Sequence, residues 1–177
     1  MLLTAEPANL RRTRAKVIRL AKAWNKQYSK PGLSSFNIEA LALEAVTEGA
    51  GVPDGLAAFF AYAASDLTKR LTPDPAGVSD PIKVLVDRDI IVSRLRHAAD
   101  LIRVALEHDD DELKAGEALA ELYWIHVKPP PGSTSKAAFA AALRQGNAEV
   151  SVASGLILGA GKGAPIKTTR SYGGHQR

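Results

Sequence analysis

Apolar residues along the first two-thirds of the chain recur at helical spacing, interrupted at intervals by proline, glycine and aspartate. Val17, Leu20, Ala21, Trp24 and Tyr28 make one stripe of a first helix, with Pro7 in its first turn and its end near Gln27. Lys30-Pro31-Gly32 stops it, because both proline and glycine resist helix continuation. Ser34 and Ser35 are N-cap candidates for a second helix running from Ser35 to about Glu48. It carries Ile38, Leu41, Ala42, Ala45 and Val46 inward, and Gly49-Ala50-Gly51 ends it. Pro53 and Asp54 open a third helix with the most regular stripe, Leu56, Phe59, Phe60, Ala63, Leu67 and Leu71.

The segment Thr72 to Pro81 reads as a loop, and Lys83-Val84-Leu85-Val86 is open between a short strand and a helix entry. Asp87 or Asp89 caps a long fourth helix with Ile91, Leu95, Ala98, Ile102 and Ala105 inward. Asp109, Asp110 and Asp111 suit the start of a fifth, which carries Leu113, Leu119, Leu122 and Tyr123. Pro129-Pro130-Pro131-Gly132 is a stop, after which Ser133 to Ser135 cap a short sixth helix to about Arg144. Val150 to Leu158 suits a strand or packed extended segment, and Gly159 to Arg177 is a glycine-rich, basic and mobile tail. The expected fold is all-α, a five- to six-helix bundle over residues 1–147, with a flexible C-terminal tail over residues 148–177.

Composition narrows the chemistry. With 177 residues and 46% hydrophobic content, one domain with a real core is expected. Cysteine is absent, which removes disulfides, thiolate metal sites and a cysteine nucleophile, and suits a reducing cytoplasm. No apolar run approaches the roughly 20 residues that cross a bilayer, and the N-terminus lacks the apolar core of a signal peptide. A cytoplasmic protein without membrane contact is expected. The net charge of +4 permits a polyanionic partner, and Arg11, Arg12, Arg14, Lys16 and Arg19 crowd the first helix.

The chemistry-bearing stretch is the first helix pair. A helix N-terminus offers unpaired N–H groups and a positive dipole to an anion, and Lys22 flanks the stripe that leads to it. A triphosphate is therefore a physically reasonable guest. On residues alone the pair is also an ordinary packing unit, with Lys22 a solvated charge and Ser34 or Ser35 a plain cap.

Leu20-Ala21-Lys22-Ala23-Trp24, followed by a polar break and Leu33-Ser34-Ser35-Phe36, resembles the start of the C-terminal helical lobe of oligoadenylate-synthase-like and cyclic GMP-AMP-synthase-like nucleotidyltransferases. This group includes the bacterial CD-NTases that make cyclic oligonucleotide signals in antiviral defence. The specific part covers about thirty residues; a looser match in helix spacing reaches about Trp124. The resemblance implies a lobe that binds ATP or GTP, with Mg²⁺ brought by the nucleotide, for synthesis of cyclic or linear oligonucleotide messengers. It implies phosphate contacts from Lys22 and Ser35, with Ser34 beside them, and base stacking on Phe36.

The family's catalytic half is not found. It needs a Gly-Ser turn followed by paired aspartates, and Gly132-Ser133 is followed by no aspartate. Asp109-Asp110-Asp111 reads as helix capping rather than a magnesium site. The resemblance thus implies a truncated or split enzyme, inactive alone, whose catalytic lobe lies upstream or acts in trans. His97, His108, His126 and His175 show no metal-binding helical spacing, and Gly155 to Gly163 lacks the Ser or Thr that completes a phosphate loop. The alternative is a free-standing helical binding module that holds nucleic acid or a protein partner through its basic first helix or its tail.

Overall fold

The computed structural model describes residues 7–133, together with the backbone of three short strands at 148–150, 157–159 and 164–165. Five helices build residues 7–133: α1 (Ala8–Lys26), α2 (Ser35–Ala45), α3 (Val52–Lys69), α4 (Arg88–Glu107) and α5 (Glu112–Leu122). The three strands are β1 (Ala148–Val150), β2 (Ile157–Gly159) and β3 (Ala164–Pro165), paired antiparallel in the order β2-β1-β3. β1 and β2 fall at the two ends of the stretch expected to be extended. The expected sixth helix and the mobility of the tail lie outside the described residues.

The all-α reading holds for the helical body. Its centre is α3, which packs on α1 and α2 and most extensively on α4; α5 packs on α4. Leu56, Phe59, Phe60, Ala63 and Leu67 of α3 are all buried, as their 3.6-residue recurrence requires. Trp24 packs edge-on against Phe60 and Tyr28, and Tyr28 against Trp124, so an aromatic ladder runs from the core to the α1–α5 edge. Arg94 of α4 lies 4.1 Å over the Tyr28 ring and donates to the Lys30 carbonyl, closing the ladder's outer end.

Four expectations need correction. α2 ends at Ala45 rather than near Glu48. Val46 turns extended (φ −95°, ψ 109°) and sends its side chain into the core. Arg14 of α1 then takes the carbonyls of Val46 and Leu43, at 3.0 and 2.7 Å, so the helix end is satisfied by a cation from another element. Leu113, expected inward, is 43% exposed in the first turn of α5. Leu71 lies two residues beyond the end of α3, in the approach to the Thr72–Ile82 bridge. The Lys83–Val86 segment is neither strand nor helix; it is tied to the α1–α2 turn by the Leu85 N–H on the Gly32 carbonyl, at 2.9 Å.

Candidate functional site

Between α1 and α2 the chain must reverse within eight residues, and one side chain organises the reversal. Asn25, buried on the last turn of α1, accepts from the N–H groups of Gly32 (2.9 Å) and Leu33 (3.1 Å) and donates to the Leu33 carbonyl (2.8 Å). These bonds satisfy backbone groups that would otherwise be buried unpaired. Gly32 is required here for space: a Cβ on it would come within 2.5 Å of the Ile91 side chain of α4. Its φ is not positive, so the helix-stopping role expected of it is accompanied by a packing role the sequence did not announce.

The turn delivers Ser34 as the N-cap of α2. Its hydroxyl accepts from the Asn37 N–H at 3.1 Å, and its carbonyl takes the Ile38 N–H. Ser35 therefore stands at the first helical position, exposed, and Phe36 at the second, half exposed. The N–H groups of Ser35 and Phe36 have no partner among the described residues. A residual positive end of the helix thus faces solvent beside an open aromatic ring.

Lys22 reaches this region from α1. Its Nζ sits 2.6 Å from Glu39 Oε1, with side-chain exposures of 28% and 47%. Glu39 follows Ser35 by four residues, so it lies one turn further along the same side of α2. Of the four sequence-predicted residues, Ser34, Ser35 and Phe36 stand consecutively at the start of α2, and Lys22 is tied to the helix through Glu39, one turn beyond Ser35. Glu39 was missed. Its signal was available: it is the first carboxylate of α2, at the spacing that shares a face with Ser35. Asn25 was missed as well, since an asparagine inside a helical stripe reads as an ordinary polar position.

Elsewhere the structure assigns other work to the remaining candidates. Asp111 caps α5 by accepting from the Lys114 N–H, and that bond, more than the ion pair with the Lys114 amine, holds its carboxyl below the usual range. Asp109 and Asp110 are exposed ahead of that cap. His97 meets Glu121 at 3.2 Å on the surface. Arg14, one of the basic residues that crowd the first helix, is the α2 end cap described above. Among the described residues no three histidine or acidic side chains converge on a point that would hold a metal ion, and no helix is long and apolar enough to cross a membrane. His175 and the glycine-rich segment 155–163 lie outside the residues whose side chains are described.

No protein-family model, curated protein or solved structure matches this chain.

Proposed function

We propose that this chain is a nucleotide-binding helical lobe of the kind found in oligonucleotide-synthesising nucleotidyltransferases, and that the start of α2 is its triphosphate-binding face. The observation that supports this most directly is the Lys22–Glu39 contact. It keeps a lysine amine one turn along α2 from a capped helix start with two open N–H groups, an exposed Ser35 hydroxyl and a half-exposed Phe36. A triphosphate brings far more charge than one half-exposed carboxylate, and exposed ion pairs are worth only about 0–1 kcal/mol. Lys22 exchanges Glu39 for phosphate at little cost, while Ser35 donates to a second oxygen and Phe36 offers a face to the base.

The described residues do not fit a magnesium ligand set, since no acidic cluster converges. Mg²⁺ on this reading arrives on the phosphates of ATP or GTP, and a separate catalytic lobe supplies the carboxylates. The isolated chain is expected to bind nucleotide without joining nucleotides. An amide-resolved NMR titration with MgATP tests this: saturable shifts at Ser35 and Phe36 are expected, and an unchanged α2 start with shifts only elsewhere would contradict it.

A second reading is favoured by a separate observation. α1 carries seven lysines and arginines and no carboxylate. Arg11, Lys16, Arg19 and Lys26 on it are exposed and make no ion pair among the described residues. Such a face attracts a nucleic-acid backbone through counterion release. If α1 rather than α2 carries the function, affinity for duplex oligonucleotides will fall steeply with salt and Lys16→Ala with Arg19→Ala will weaken it without touching MgATP.

A further inference from the structure

Where the last turn of α3 meets the first turns of α4, the surface opens into a cleft of about 350 Å³, a volume within the range of small-molecule sites. Thr68 lines it from α3, and Arg88, Asp89, Ser93 and Arg96 line it from α4. Asp89, Ser93 and Arg96 are spaced at i, i+4 and i+7, so one face of α4 presents them together. None of these residues belongs to the start of α2.

The two guanidiniums set this cleft apart. Arg70 at the end of α3 and Arg103 on α4 are matched by carboxylates, Asp66 for the first, Glu107 and Asp100 for the second. Arg88 and Arg96 meet only neutral groups: Arg88 Nε donates to the Leu67 carbonyl, and Arg96 Nη2 donates to the Thr68 hydroxyl at 3.2 Å. Asp89 lines the same cleft and makes an ion pair with neither. Arg88 Nη2 is buried, but Nη1 is neither bonded nor enclosed, so that arm of the fork is open to the cleft. Arg96 is exposed, with Nε and Nη1 unbonded among the described residues. Thr68 gives its own proton to the Ala64 carbonyl at 2.7 Å, which leaves its oxygen to hold Arg96 in place. The exposed Ser93 hydroxyl has no partner among the described residues.

Charge and shape set the class of guest. Two like charges facing one cleft repel each other until an anion comes between them. Planar guanidinium forks match the paired oxygens of a phosphate, and Ser93 adds a neutral donor. The groove that adjoins the cleft through Thr68 and Arg96 brings a third cation, Lys69, exposed and unpaired among the described residues. Its one carboxylate, Asp100, lies 3.7 Å from Arg103. Leu67 and Val92 supply an apolar wall for the carbon part of a ligand.

We propose that this cleft binds the phosphoryl group of a small phosphomonoester, held by Arg88 and Arg96 with Ser93 as a further donor. Asp89, on the rim, opposes the anion and limits its affinity. The site shares no residue with the nucleotide-binding face proposed at α2 and stands or falls separately.

The test is an amide-resolved NMR titration of the full chain with inorganic phosphate and, in parallel, with glycerol 3-phosphate, both at matched ionic strength. Saturable shifts at Thr68, Arg88, Ser93 and Arg96 are expected. Arg96→Gln, at an exposed position, weakens binding about tenfold or more. Asp89→Asn tightens it about threefold. Lys128→Gln, the same loss of charge at an exposed position outside the cleft, leaves it within about twofold. Tighter binding of glycerol 3-phosphate than of inorganic phosphate shows that the apolar wall is used; equal affinity shows that the phosphoryl group alone is read. Absence of saturable binding by both probes, equal weakening by Arg96→Gln and Lys128→Gln, or weakening by Asp89→Asn overturns the proposal.

Discussion

Asn25 pairs with both backbone groups of Leu33: the carboxamide accepts the Leu33 N–H at 3.1 Å and donates to the Leu33 carbonyl at 2.8 Å. The side chain acts as a strand-like neighbour for a turn that has no strand to pair with. Because the same oxygen also takes the Gly32 N–H, Asn25→Ala would strip partners from three backbone groups in a buried setting. We expect a loss of about 2–4 kcal/mol in urea unfolding with an unchanged m-value. Asn25→Asp, which keeps the acceptor and loses the donor, should fall between wild type and alanine.

Gly32 and Ile91 touch so closely that a methyl group on the glycine has no room. Gly32→Ala should cost about 1–3 kcal/mol through overpacking. Ile91→Val removes the Cδ1 atom responsible for the shortest approach, so the double variant should lose less than the sum of the two single ones. Simple additivity would show that the glycine matters for something other than this contact.

Tyr123 is buried with its hydroxyl unpartnered, and burial raises its pKa well above the ordinary phenol value of 10.0. Removing that hydroxyl costs no hydrogen bond. Tyr123→Phe is expected to be neutral or stabilising by up to about 1 kcal/mol, while Tyr123→Ala loses about 3–5 kcal/mol of packing. The folded state keeps Tyr123 protonated where the unfolded chain releases its proton, so its contribution declines as pH rises above about 10. Alkaline unfolding should accordingly be less steep in Tyr123→Phe than in wild type.

Asp111 and Asp74 move the other way. Asp111 is held down chiefly by the Lys114 N–H and Asp74 chiefly by the Ala76 N–H, both from an ordinary value of 3.8. A carboxyl depressed in the folded state contributes stability that is full above that ordinary value and disappears as pH falls through the lower folded one. Below pH 3.8, amide protection should fade first at the start of α5 and in the Asp74–Ser79 turn. Asp111→Asn keeps a capping oxygen without the titration, and should flatten the acid dependence at α5.

The helices were legible because their stripes are long and their stops are chemically explicit. Ile91, Leu95, Ala98, Ile102 and Ala105 all face inward in α4 as spaced, and Asp87 caps it. What escaped the sequence depends on partners distant in the chain. The early end of α2 rests on Arg14, whose guanidinium finds carbonyls 29 and 32 residues away. Gln27 likewise donates to the Leu122 carbonyl, tying the end of α1 to the end of α5 across 95 residues. At the candidate site, the capping role of Ser34 followed from local rules, whereas the Lys22–Glu39 pairing required knowing how α1 and α2 cross.

The central claim is that Lys22 serves a phosphate and that Glu39 holds its place in the absence of one. Calorimetric titration of MgATP into wild type, Lys22→Ala and Glu39→Gln tests it most directly. Lys22→Ala should weaken binding about tenfold or more, through loss of a charge-assisted contact. Glu39→Gln, by releasing the amine and removing a negative charge, should tighten it about two- to fivefold. Opposite shifts in the two variants are the predicted result. Affinity unchanged in both, or weakened equally by both, would mean that the pair is only a tie between two helices.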